Sequence, residues 1–85
     1  MRVDHIGYVT SDLKKSIKTF KELLDLKPIT KIIKEPAHKV KLIFFELNKS
    51  GYPAIELITP ISRKSKVSNF LLKNGNGFHH LAYEV

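Results

Sequence analysis

The stretch Phe78-His79-His80-Leu81-Ala82-Tyr83-Glu84-Val85 restates Val3-Asp4-His5-Ile6-Gly7-Tyr8-Val9-Thr10 near the start of the chain. Aligned, Asp4 matches His79, His5 matches His80, Ile6 matches Leu81, Gly7 matches Ala82 and Tyr8 matches Tyr83. The separation, from position 5 to position 80, exceeds the ~20 to 50 residues of a solenoid period and suits a small α+β module. The 85-residue chain is therefore read as one module followed by the first strand of a second.

Each copy has the period of a strand, so alternation assigns its faces. Val3, His5, Gly7 and Val9 share one side, and Asp4, Ile6 and Tyr8 the other. In the second copy His80 shares its side with Phe78, Ala82 and Glu84, while His79 falls with Leu81 and Tyr83 and points away. Each of the two equivalent histidines is followed two residues on by Gly7 or Ala82, which predicts open space beside each imidazole.

Outward from the first copy, Thr10-Ser11-Asp12 offers N-cap chemistry, and Leu13, Ile17, Phe20 and Leu24 recur at helical spacing. An amphipathic helix over 12–25 is expected, closed by Pro28, with Lys14, Lys15, Lys18 and Lys21 as its solvated face. Three β-like runs follow: 29–34, 40–47 and 54–58, the second and third separated by the turn Asn48-Lys49-Ser50-Gly51, and the last stopped by Pro60. Between Pro60 and Gly77, Val67, Phe70 and Leu71 mark a short helix starting near Ser62 or Ser65. The run Asn74-Gly75-Asn76-Gly77 ends it, with Gly75 suited to a left-handed cap. These glycines lack the strand, glycines, helix order of a phosphate loop. The expected organisation is α+β: a βαβββ module over 1–60, a linking helix and turn over 61–77, and the first strand of an incomplete second module over 78–85.

Composition narrows the function classes. A chain of 85 residues buries only about 60% of its unfolded surface, and without Cys it has neither disulfides nor thiolate metal sites. Added stability is expected from a second chain, a metal held by other ligands, or further sequence. No apolar run approaches the ~20 residues that span a bilayer, and no signal-peptide pattern opens the chain, so a cytoplasmic protein without a membrane partner is expected. The net charge of +7 comes mostly from dispersed lysines, with Arg2 and Arg63 the only arginines. No basic stripe interleaved with aromatics is present, which argues against nucleic acid and for a surface that accepts an anionic ligand, such as a phosphorylated thioester carrier.

Three residues draw chemical interest. Glu56 interrupts the apolar run between Ile55 and Leu57. A buried carboxylate there requires a partner, whereas a half-exposed sheet would put Ala54, Glu56 and Ile58 on its solvent face. His5 and His80 stand out because they recur at one position of the repeat, while His38 and His79 read as tolerated polar residues. Two imidazoles and a carboxylate on one concave sheet face suit Zn²⁺, Co²⁺, Ni²⁺ or Mn²⁺ better than Mg²⁺ or Ca²⁺.

Several segments together resemble the vicinal oxygen chelate superfamily, which includes glyoxalases and bleomycin resistance proteins. They are Asp4-His5-Ile6-Gly7, the helix ending Leu23-Leu24-Asp25-Leu26, Ile55-Glu56-Leu57-Ile58-Thr59-Pro60, Ser65-Lys66-Val67-Ser68-Asn69-Phe70-Leu71, and the double-histidine strand. Within it the similarity is greatest to the methylmalonyl-CoA epimerase family. Members normally carry two complete βαβββ modules, so most of a second would be lacking. The resemblance implies that His5, Glu56 and His80 are metal ligands, that a further Glu ligand belongs to the second module, and that the chemistry is proton abstraction next to a carbonyl. Glu84 does not match that ligand, and Glu46 does not align with a family base. A small-molecule substrate such as a CoA thioester is implied, and a homodimer is expected to complete the sites. Two alternatives share the fold: a glyoxalase I-type lactoylglutathione lyase and a metal-free small-molecule binding protein.

Overall fold

A computed structural model describes residues 2–84, the side chain of Glu84 excepted; Val85, the last residue of the repeated stretch, lies outside them. The elements are β1 (Arg2–Val9), α1 (Leu13–Glu22), β2 (Lys27–Pro28), β3 (Ile33–Glu35), β4 (Val40–Glu46), β5 (Ala54–Pro60), α2 (Lys66–Asn74) and β6 (Gly77–Glu84). They build a mixed α+β structure around a six-stranded sheet ordered β2-β4-β5-β1-β6, with β3 also on β4. β1 runs parallel to β5 and antiparallel to β6, so the two copies of the repeat are direct neighbours.

The two sheet faces carry separate cores. On one, Leu13 and Phe20 of α1 pack on Ile43, Phe45, Ile55 and Leu57. On the other, Val67 of α2 packs with Val9, Val40, Leu42 and Ile58. β5 is therefore covered on both sides, and Ala54, Glu56 and Ile58 are each only 7% exposed. Of the two readings open for Glu56, the one with these three on a solvent face fails, because α2 folds over that side of β5.

Several element ends also differ from the sequence reading, each for a local reason. Asp12 caps α1 as expected, its carboxylate accepting the Lys15 amide at 3.1 Å. The helix stops at Glu22 rather than 25, because Asp25 takes a positive φ of 54° and the Leu26 amide turns back to the Phe20 carbonyl at 3.0 Å. Leu24 is then exposed, and Leu26 packs against the core in its place. Of the expected strand 29–34 only 33–34 are strand, within β3, and the short β2 lies before it; between them the Thr30 hydroxyl accepts the Phe44 amide where a ladder carbonyl would otherwise do so. Pro28, expected to act as a helix stop, lies in β2 opposite Phe45. β5 runs past 58 and ends on Pro60 itself, which pairs with Val40 as the last step of the ladder. α2 starts after Ser65 and ends at Gly75, whose φ of 70° is accessible to glycine at little cost, although its ψ of −164° lies outside the left-handed helical well.

Candidate metal centre

The face covered by α2 gathers residues from three neighbouring strands. β1 supplies His5, β5 supplies Glu56 and β6 supplies His80. Glu56 Oε1 lies 3.2 Å from His80 Nε2 and 3.6 Å from His5 Nε2. One donor atom from each of the three can be chosen so that all lie within 4.8 Å of one another. The two rings stand edge to face with centroids 5.4 Å apart, and Phe44 also meets His5 edge to face at 5.5 Å.

Cross-strand register explains how the histidines meet. Gly7 pairs with His80, and Ala82 pairs with His5. The small residue of each copy thus lies opposite the histidine of the other. The predicted open space exists, but it is filled from across the strand pair: a Cβ on Gly7 would lie 2.1 Å from His80 Cε1.

The ladder between β1 and β6 shifts register twice, between Val3 and His5 and between Gly7 and Tyr8. The first shift leaves Asp4 as the extra residue on β1, and the second leaves His79 as the extra residue on β6. A bulge breaks strict alternation and re-aims a side chain. This corrects the expectation that His79 points away from His80, since their Nδ1 atoms lie 2.9 Å apart. At the equivalent place Asp4 Oδ2 lies 2.9 Å from His5 Nδ1. Each central histidine therefore has its Nδ1 engaged by the residue before it and its Nε2 turned to Glu56. Alternation alone could not reveal either partner, although the alignment of Asp4 with His79 already held the relationship.

The arrangement fits a divalent cation of borderline softness. Two imidazole nitrogens and a carboxylate oxygen form the donor set, and Nδ1–H donation to Asp4 leaves the His5 Nε2 lone pair free to bind. Glu56 is buried in an apolar strand and, among the described residues, has the two histidines as its ion-pairing partners, so a cation would offset the cost of its charge.

The three residues open into a cavity of about 460 Å³, within the range of small-molecule sites. Val40, Ile58 and Val67 form its apolar wall, and Lys39, Lys64 and Lys66 bring positive charge to it. His38, read from sequence as an incidental polar residue, also lines this cavity with Glu35, and the two side chains contact each other. Glu46 instead faces a separate surface depression with Asp25 and Lys49. The phosphate-loop reading of Gly75 and Gly77 gains nothing, as neither lines the cavity.

Comparison with known proteins agrees with this architecture. The sequence profile of the Glyoxalase/Bleomycin resistance protein/Dioxygenase superfamily matches residues 4–85. The chain is 32% identical to the mitochondrial methylmalonyl-CoA epimerase of Homo sapiens over 85 residues, covering 99% of this chain and 46% of the human protein. It thus spans about half the length of that relative. Methylmalonyl-CoA epimerase from Mycobacterium tuberculosis superimposes with a TM-score of 0.86 at 22% identity, covering 94% of this chain and 52% of that one, a likeness of fold. A variant of the Streptomyces coelicolor methylmalonyl-CoA epimerase, in complex with 2-nitronate-propionyl-CoA, superimposes with a TM-score of 0.84 at 26% identity, covering 95% of this chain and 59% of that one.

Proposed function

The chain belongs to the glyoxalase/bleomycin resistance protein/dioxygenase superfamily, and from that membership we propose that it is a divalent-metal-dependent, epimerase-like protein promoting proton abstraction next to the carbonyl of a CoA thioester. The observation that carries this reading is the convergence of His5 Nε2, His80 Nε2 and Glu56 Oε1 at one end of a cavity with an apolar wall. These three side chains would hold Zn²⁺, Co²⁺, Ni²⁺ or Mn²⁺, which when bound would polarise the carbonyl and offset the charge that develops as the adjacent C–H bond breaks.

The chain's own groups prepare that chemistry. Asp4 accepts the His5 Nδ1 proton and fixes the tautomer that presents Nε2. With His80 Nδ1 donating to His79 Nδ1, 2.9 Å away, the second imidazole presents its Nε2 in the same way. Val40, Ile58 and Val67 limit water around the reacting group. Similarity to proteins named for methylmalonyl-CoA supports an acyl-CoA substrate over a glutathione hemithioacetal. The donor set itself favours this reading over a metal-free binding protein, because sequestration of a ligand gives Glu56 no reason to be buried between two histidines.

In this reading the protein acts as a homodimer. β6 is an edge of the sheet among the described residues, and Phe78, Leu81 and Tyr83 on it are more than half exposed. An edge strand with such residues is a template for pairing with another chain.

Calorimetric titration of the purified protein with Co²⁺ and Zn²⁺, beside His80→Ala, tests the metal assignment. Saturable binding that weakens at least tenfold in the variant is expected. Equal affinity of the two proteins would remove His80 from the site and the reading with it.

A further inference from the structure

We infer that the imidazole of His38, held by the carboxylate of Glu35, is the base that takes the proton from the carbon next to the thioester carbonyl. The inference rests on the thioester reading above and adds the group that performs its central step.

The first observation is how the pair is held. Glu35 ends β3 and pairs with Val40, which opens β4, so residues 36–39 form the turn between them. The Lys39 amide donates to the Pro36 carbonyl at 3.2 Å, and the Lys39 carbonyl accepts the Ile61 amide at 2.9 Å. The turn is thereby tied to the end of β5, and the two side chains stand on a supported hairpin. Within it Glu35 Oε1 contacts His38 Nδ1. A carboxylate at Nδ1 selects the tautomer that carries its proton there and leaves the Nε2 lone pair open, the arrangement of a base and its orienting group.

The second observation is what else the cavity offers. Among the described residues lining it, His5, Glu56 and His80 are committed to the proposed metal, and His79 is bonded to His80. Lys39, Lys64 and Lys66 line the space too, but a lysine ammonium only donates. Glu35 and His38 complete the titratable groups there, and Glu35 has an oxygen on the imidazole. Histidine changes charge between about pH 5 and 8, so its neutral form accepts a proton and its cation readily releases one. The His38 side chain is 72% exposed, which lets it pass that proton to water.

The step balances on these groups. The C–H electron pair moves into the thioester carbonyl as an enolate forms, and the proton goes to His38 Nε2. Glu35 stays ionised beside the imidazolium and acts as a positioning residue. Reversal returns a proton from the same nitrogen to the same face. Because that nitrogen exchanges with water in between, the reaction labels the carbon even without inversion.

The test follows, by NMR in heavy water, exchange of the proton on the carbon beside the thioester carbonyl of methylmalonyl-CoA with the Co²⁺-loaded protein. His38→Gln is expected to slow exchange at saturation at least about 100-fold and Glu35→Gln about tenfold, with thioester and Co²⁺ affinities within about twofold of wild type. A pair kept only for the turn would change the melting temperature and leave exchange as it is. In the metal-free protein, long-range proton–nitrogen NMR should find neutral His38 protonated on Nδ1, and a mixture of tautomers in Glu35→Gln. Exchange by His38→Gln at the wild-type rate overturns the inference and leaves the thioester reading standing. Neutral His38 protonated on Nε2 in the wild type overturns it as well. Absence of exchange by the wild type sinks the thioester reading, and this inference with it.

Discussion

The imidazole of His80 lies against the bare Cα of Gly7, so closely that a methyl group there would stand 2.1 Å from Cε1 and 2.5 Å from both ring nitrogens. Gly7 does not serve a turn, since it sits within β1 and pairs with His80 in the ladder. Its role is to leave a recess for the ring. Gly7→Ala is expected to displace His80 from Glu56 while β1 and β6 stay paired. Overpacking of this kind costs about 1 to 3 kcal/mol, so the variant should fold. Its circular dichroism should match wild type, and its Co²⁺ affinity should fall at least tenfold in calorimetry. Unchanged affinity would mean that the recess is not needed to place His80.

Asp4 and His79 are expected to matter through the rings they orient. Each precedes a central histidine, each is the extra residue of a bulge, and each meets that histidine's Nδ1 at 2.9 Å. Loss of a group that orients a ligating imidazole typically weakens metal binding about 10- to 100-fold. Asp4→Asn keeps the shape and a weaker acceptor, so it should fall at the mild end, and Asp4→Ala near the severe end. That ordering, read from metal titrations with unchanged thermal stability, separates orientation from a structural role. Equal, small effects of both substitutions would discard it.

How much of this could be read beforehand depended on period. The alignment of Val3–Thr10 with Phe78–Val85 placed His5 and His80 at equivalent positions, and the structure puts their strands side by side. The sequence leaves the burial of Glu56 open, because an apolar-polar-apolar triplet reads alike in a half-exposed strand and in one covered on both faces. The position of α2 decided it. The facing of His79 escapes alternation because a bulge adds one residue without any mark in composition, and all facing beyond it reverses. Leu24 has the helical spacing of a core residue, but the backbone of Asp25 ends the helix and leaves it exposed.

Glu56 separates stability from function. It is 7% exposed on a strand whose neighbours are apolar, and two imidazoles are its ion-pairing partners. Replacing buried ionic groups by apolar residues of similar volume is often neutral or stabilising by about 1 to 4 kcal/mol. Glu56→Leu is therefore expected to hold or raise the melting temperature and to abolish metal binding. A residue retained for packing would behave oppositely. A clear drop in melting temperature with metal binding preserved would assign Glu56 to the core instead of the site.

Association is expected to run through the edge formed by β6. Phe78 is 64% exposed, Leu81 53% and Tyr83 55%, an apolar outlay at the strand that ends the sheet. Alternation puts Leu81 and Tyr83 on one side of this strand, opposite His80, so a charge at Leu81 should not disturb the histidine. A second copy meeting this region would bury these side chains and satisfy the outer backbone groups of β6 together. Leu81→Lys introduces charge into the middle of that surface, a device natural edge strands use to prevent pairing. Sedimentation equilibrium should give twice the chain mass for the wild type and the single chain mass for the variant. Metal affinity should fall only in so far as the partner contributes to the site. A stable wild-type monomer across micromolar concentrations would refute the dimer, and a Leu81→Lys protein that remains dimeric would move the interface away from β6.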